Sequence, residues 1–451
     1  MLGQAALPGP AMPDRLPRQL GVVSTAGVLI GITIGSGIFR VPSTVAADLG
    51  SVGGIAIVWL AGAAVTVAGA LTLVALTTAL PYAGGSYVFI REGYGSLVAF
   101  LYGWIKLVVT GPAALAAVAL IFAEYARAFA TLSDRQVHLV AAALLVALTA
   151  ANIRSVSWSA GLQNVSTVTK VIALAALSLV ILHSGNGATG ALSESLAWRR
   201  VSLGGFWPAL IVVLWTYTGW VDLTFIAGEV RDPARTFPRA VLGGMAVILL
   251  VYLLANAAYL SVLPVPAMAA SPLVAATAAQ RAVGPRGAAA VAALVMLSTF
   301  SSLNGSILTS PRVFFAMAED GLFFRSVARV HPRYRTPFVA LLLYLVLGLV
   351  GVTTRSFEQL AEMYVLGIWP FYALAVGAVF VVPRRRPELA ALCRAWGYPV
   401  LPAAFILVSI AMVVSGAVAR PLETGLGIAI VLVGVPVYYA WCALGRRRAA
   451  A

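Results

Sequence analysis

Apolar runs separated by short polar stretches occupy the chain from residue 21 to residue 444. A helix needs about 20 mostly apolar residues to cross about 30 Å of hydrocarbon. Windows of that size fall near 21–45, 52–80, 96–130, 136–152, 162–183, 205–230, 239–263, 288–318, 337–353, 358–382, 400–419 and 424–444. The pattern predicts an all-α polytopic membrane protein with about twelve spans. The longest unassigned stretch, 184–204, leaves no room for an extramembrane domain.

Two of the apolar windows carry an internal break. In the first, GITIGSGIF (31–39) sets Gly31, Gly35 and Gly37 near mid-span. In the sixth, WTYTGW (215–220) sets Thr216, Thr218 and Gly219 between aromatic residues. Each break heads a set of five spans, and corresponding breaks in two halves point to a secondary transporter with inverted repeats. Small residues also line close helix contacts, so packing is the competing explanation. On the transporter reading the chain divides into a tail (1–20), a first repeat (21–183), an outer loop with the second repeat (184–382), a loop with two peripheral spans (383–444) and a basic tail (445–451).

A broken helix exposes backbone N–H and C=O groups, which a membrane tolerates only around a protein-lined cavity. Amides near Ser36, Gly37 and Ile38, following Ile34 and Gly35, would form the positive end of a half-helix and suit a carboxylate. Freed carbonyls around Trp215, Thr216 and Thr218 could accept hydrogen bonds from an ammonium group. Together the two ends describe a zwitterion, an α-amino acid.

Composition narrows the alternatives. Hydrophobic residues make up 61% of the chain and charged residues 10%, with a mean hydropathy of +0.96; soluble chains carry about 25% charged residues. The net charge of +15 invites a nucleic-acid reading, but nucleic-acid binders gather their basic residues on one solvated face. Here most arginines fall in alternate connections, together with Arg15, Arg18 and 446–448. By the positive-inside rule this places both termini in the cytosol. Pro8, Pro10, Pro13 and Pro17 lead into a first span that lacks the short core and small-residue cleavage site of a removed signal. Two cysteines (Cys393, Cys442) and three scattered histidines (His138, His183, His331) offer no disulfide framework, metal centre or cofactor site.

Charged residues within apolar windows are functional by default. Lys170 lies about eight residues into the fifth window, too deep for easy snorkelling. Lys106 sits nearer the start of the third, where snorkelling to the surface is the better expectation. Asp222 and Glu229 are expected to brace the segment after the second break. No carboxylate is expected to face the pocket, which weighs against a cationic amino acid or polyamine permease. No paired histidines, Ser–His arrangement or carboxylate dyad supports an intramembrane enzyme, and no filter motif supports a channel.

GITIGSGIF, PYAGGSYVFIREGYG (81–95) and WTYTGWVDLTFIAGEVRDPARTFPRA (215–240) resemble segments of amino acid–polyamine–organocation transporters. The resemblance is strongest to the L-type amino acid transporter branch and its bacterial members. It continues in order through SSLNGSILTSPRVFFAMAEDGLFF (301–324), HPRYRTP (331–337) and VVPRRRPEL (381–389). It implies a leucine-transporter-type core of two five-helix inverted repeats, with helices 1 and 6 broken and two peripheral helices. It also implies a carboxylate loop at Gly35, Ser36 and Gly37, a gate at Trp215, and Trp369 near the side-chain pocket. Lys170 resembles a built-in replacement for the sodium ion of coupled relatives, with Ser298, Ser301 and Ser302 as neighbours of its ammonium. An arginine that many relatives carry before Pro112 is replaced here by Gly111. Animal members join a heavy chain through a cysteine in the loop after span three, and the matching stretch FATLSDRQVH (129–138) has none.

The expected function is therefore sodium-independent transport of neutral L-amino acids by alternating access, as an exchanger, in a bacterial inner membrane. Proton-coupled symport, or a cationic amino acid or polyamine permease, is the alternative on the same scaffold. Few lysines against many arginines, with abundant alanine and glycine, suggest a GC-rich bacterial genome.

Overall fold

The computed structural model describes residues 16–184, 203–354, 357–419 and 421–450. The tail 1–15, most of the expected outer loop, and Arg199, Arg200, Arg355 and Arg420 lie outside the described residues. Within them, regular structure is helical apart from an isolated bridge between Leu20 and Val230. Among the described residues, eight helices are long and apolar enough to cross a membrane. Four shorter apolar helices, Val22–Thr33, Gly205–Thr216, Phe338–Thr353 and Val400–Ser415, fall in the remaining windows.

The molecule is apolar outside and carries charge inside. Val168, Ile172, Leu407, Val418 and Leu432 are exposed, whereas Lys106, Lys170, Asp222, Glu229 and Arg312 are buried. A protein solvated by lipid needs that arrangement, because every polar group must find its partner internally. Burial also separates core from periphery. In Pro285–Glu319 the apolar window is 72% buried, against 6% in Gly425–Leu444.

Among the described residues, three departures from regular helix geometry meet at the centre. Helix Val22–Thr33 ends where Ile34 leaves helical geometry (ψ 83°), and the chain resumes in a 3₁₀ turn at Gly37–Phe39 and helix Val41–Leu49. Helix Leu203–Thr216 stops before Gly219 (φ 133°) and continues as 3₁₀ turns over Asp222–Glu229. Between Ser96–Ile105 and Gly111–Ala126 lies a π-turn, Lys106–Thr110. Pro112 has no N–H to donate one turn back, and π-turns of this kind recur at functional sites. Helix Val22–Thr33 packs against Val156–Ser184, Pro233–Val262 and Pro285–Thr309, and these supply the side chains that hold the first break.

Candidate functional site

The carbonyls released by the first break each find a donor from another helix. Tyr252 Oη donates to Thr33 O (2.8 Å), and Ser298 Oγ donates to Ile34 O (2.7 Å) and lies 3.1 Å from Gly35 O. Ser302 Oγ lies within bonding distance of Gly31 O (3.0 Å) and Ile32 O (3.2 Å). Lys170 Nζ donates to Gly31 O (2.6 Å), Ile34 O (2.5 Å) and Ser298 O (3.5 Å). An ammonium has three N–H groups, and three carbonyls receive them. Lys170 is 1% exposed, so the buried charge is solvated entirely by backbone from the first break and the helix opposite.

This refines one expectation, since Ser298 meets the ammonium through its backbone carbonyl. The hydroxyls of Ser298 and Ser302 bond the carbonyls of the break and do not bond the ammonium directly. Ser301 faces elsewhere, toward Gln163 Nε2 (3.2 Å) and Thr167 Oγ1 (3.3 Å). It belongs to a buried polar chain that continues through Asn304 (2.8 Å from Gln163 Oε1) to Asn152 (2.9 Å). The spacing of serines on one helix did not reveal which neighbour each would meet.

On the other side of the break, the amides of Ser36, Gly37 and Ile38 make no backbone hydrogen bond among the described residues. They lead into the second half-helix as the unsatisfied first turn that any helix start carries. Ile34 and Ile38 turn their side chains into the core.

The two breaks touch. A Cβ added at Gly37 would lie 2.7 Å from Thr216 Cγ2, and one at Gly219 would lie 2.7 Å from Thr33 Oγ1. Gly219 also has a positive φ that other residues rarely adopt. Gly35 is different: its Cβ would stand 3.4 Å from Ser302 Oγ, in ordinary contact. Tyr252, which the apolar pattern did not single out, donates to Thr33 O and lies 3.0 Å from Thr216 O. It packs in an aromatic triad with Trp59 and Tyr217. The second break's carbonyl at Thr216 is therefore already partly engaged.

A cavity of about 110 Å³ opens where the breaks meet. Gly35, Ser36, Gly37, Trp215, Thr216, Thr218, Gly219 and Ser302 line it, so most of the residues singled out at the two breaks share one wall. Trp369 does not line it. Its ring stacks on Phe405 (6.2 Å) and meets Tyr372 edge-on (5.7 Å), packing the adjoining helices together.

Two further expectations change at this cavity. Lys106 does not snorkel: its Nζ lies 3.4 Å from Asp222 Oδ1, with both side chains under 10% exposed, and both residues line the cavity. A carboxylate therefore does face the pocket, neutralised by its partner. Two opposite charges inside apolar spans have a strong reason to meet, but the sequence does not say which helices bring them together.

Beyond the cavity, Glu229 and Arg312 form a forked pair (2.7 and 3.2 Å) with both side chains essentially inaccessible. Glu229 braces its segment as expected, and Arg312 is buried beside it. The backbone carbonyl of Glu229 accepts from the amides of Gln19 (2.8 Å) and Leu20 (2.9 Å). The amino-terminal strap thus clasps the end of the second broken helix. Among the described residues no group of three His, Cys, Asp or Glu could hold a metal.

A family model described as amino acid permease matches residues 20–439. The serine/threonine exchanger SteT of Bacillus subtilis is 30% identical over 94% of this chain and 97% of its own length. The human large neutral amino acids transporter small subunit 2 is 32% identical over 94% of this chain and 80% of its own. The human cystine/glutamate transporter is 30% identical over 94% and 85%.

Proposed function

The chain belongs to the amino acid permease family, and on that premise we propose that it exchanges neutral L-amino acids across a membrane by alternating access, without sodium. The observation that carries the reading is the ammonium of Lys170, bonded to carbonyls of the first break and of the facing helix. A fixed cation there ties the broken helix to its scaffold, the task a bound sodium ion would otherwise perform. The free amides at 36–38 receive the substrate carboxylate, the second break receives its ammonium, and Trp215 covers the bound molecule. The carbonyl acceptors around Lys170 solvate its ammonium form in place, which suits exchange better than proton coupling. The charge pair of Asp222 with Lys106 leaves no net negative charge to attract a cationic substrate.

The twelve apolar helices then form two inverted repeats of five and a peripheral pair, with both termini cytosolic in a bacterial inner membrane. The test is uptake of radiolabelled amino acids into proteoliposomes loaded with unlabelled amino acid. Replacing sodium by choline should leave wild-type uptake unchanged, and Lys170→Ala should reduce it to near background at every pH. Full activity in Lys170→Ala, or loss of wild-type uptake in choline, contradicts this role for the lysine.

A further inference from the structure

Resting on the transport reading, we propose that Lys106, Asp222 and Thr110 form a polar subsite that selects amino acids whose side chain carries a neutral hydrogen-bonding group, a hydroxyl or a carboxamide. The breaks supply backbone groups for the substrate's own carboxylate and ammonium. Lys106, Asp222 and Thr110 line the same cavity and remain for the side chain. Lys106 Nζ has a single hydrogen-bond partner among the described residues, Asp222 Oδ1 at 3.4 Å, and rests 4.8 Å from the Phe225 ring centroid. An ammonium offers three donors and a carboxylate two acceptor oxygens. The pair therefore keeps spare donors on one side and a spare oxygen on the other. Thr110, fully buried, has a hydroxyl with no partner. Its place in the π-turn that begins at Lys106 puts it on the same wall.

The chemistry of the pair sets the preference. A hydroxyl or carboxamide can accept from Lys106 and donate to Asp222 at once. An acidic side chain would meet Asp222, and a basic one would meet Lys106. An apolar side chain would desolvate both charges and offer nothing in return, which is costly for buried groups. Sites built to bond a hydroxyl can reject its isostere by about 10⁴-fold or more. This cavity bonds through one pair with open space beside it, so the expected ratio is smaller, about tenfold or more.

The experiment compares uptake of threonine and its isostere valine, with alanine and leucine alongside, in proteoliposomes holding the full-length protein. Wild type should carry threonine at least about tenfold better than valine by kcat/KM. Apolar residues at both charged positions (Lys106→Met with Asp222→Val) remove the pair without stranding either charge, and should collapse the threonine-to-valine ratio about tenfold. Thr110→Val, which leaves the pair intact, should lower the same ratio by a few-fold and keeps the test decisive where the double variant does not fold. A purely structural brace would lower uptake of all substrates together and leave the ratio unmoved. Equal transport of threonine and valine by wild type, or an unchanged ratio in the variants, overturns the subsite. Absence of uptake of every amino acid by wild type overturns the transport reading itself, and the subsite with it.

Discussion

Gly35 and Gly37 lie two residues apart in one loop and do different jobs. A methyl group at 37 would press into Thr216, whereas one at 35 approaches nothing closer than the hydroxyl of Ser302 at 3.4 Å. The requirement for glycine at 37 thus comes from the partner break as much as from any ligand. Gly37→Ala should destabilise the protein by about 1–3 kcal/mol, the usual cost of overpacking, while Gly35→Ala should keep wild-type stability. Thr216→Ala, which removes the two nearest atoms, should recover part of the loss in Gly37→Ala. Thermal unfolding in detergent, without substrate, reads all three. Equal losses at 35 and 37 would mean that the breaks do not constrain each other.

Among elements, the segment Asp222–Glu229 is held at both ends by charge, toward the cavity by Lys106 and at its far end by Arg312. Removing one member of a buried pair leaves an uncompensated charge and costs about 3–5 kcal/mol, whereas replacing both with apolar groups is often neutral. Glu229→Gln should therefore lower the unfolding temperature sharply. Glu229→Leu combined with Arg312→Met should be markedly more stable than the single variant. A double variant as unstable as Glu229→Gln would show that the arginine, not the pairing, supports the segment. The same principle keeps Lys106 inside the span. Its distance from the span end suggested an escape to the surface, but its nearest opposite charge lay on another helix more than a hundred residues away in sequence.

For the whole molecule, one of the relatives is named an exchanger and another the small subunit of a transporter. The stretch 129–138 has no cysteine, and the two cysteines present stand at 393 and 442. We expect the purified single polypeptide to transport amino acids without a second protein. Uptake in proteoliposomes made from that polypeptide alone checks this, and a strict requirement for an added subunit would contradict it.

Hydropathy was sufficient to locate the apolar helices, because lipid demands a continuous apolar stretch for each crossing. The glycines at 31–39 and the WTYTGW sequence were sufficient to locate the two breaks, since a helix that must open in a membrane needs small residues and spare polar groups there. These features are local, and a local pattern carries them. Contact between distant segments is not. That Lys170 reaches the carbonyls of Gly31 and Ile34, that Tyr252 joins both breaks, and that Lys106 meets Asp222 depend on how helices far apart in sequence pack and rotate. Trp369 shows the converse: an aromatic residue at a suggestive depth packs against Phe405 and does not line the cavity, because hydropathy leaves helix rotation open.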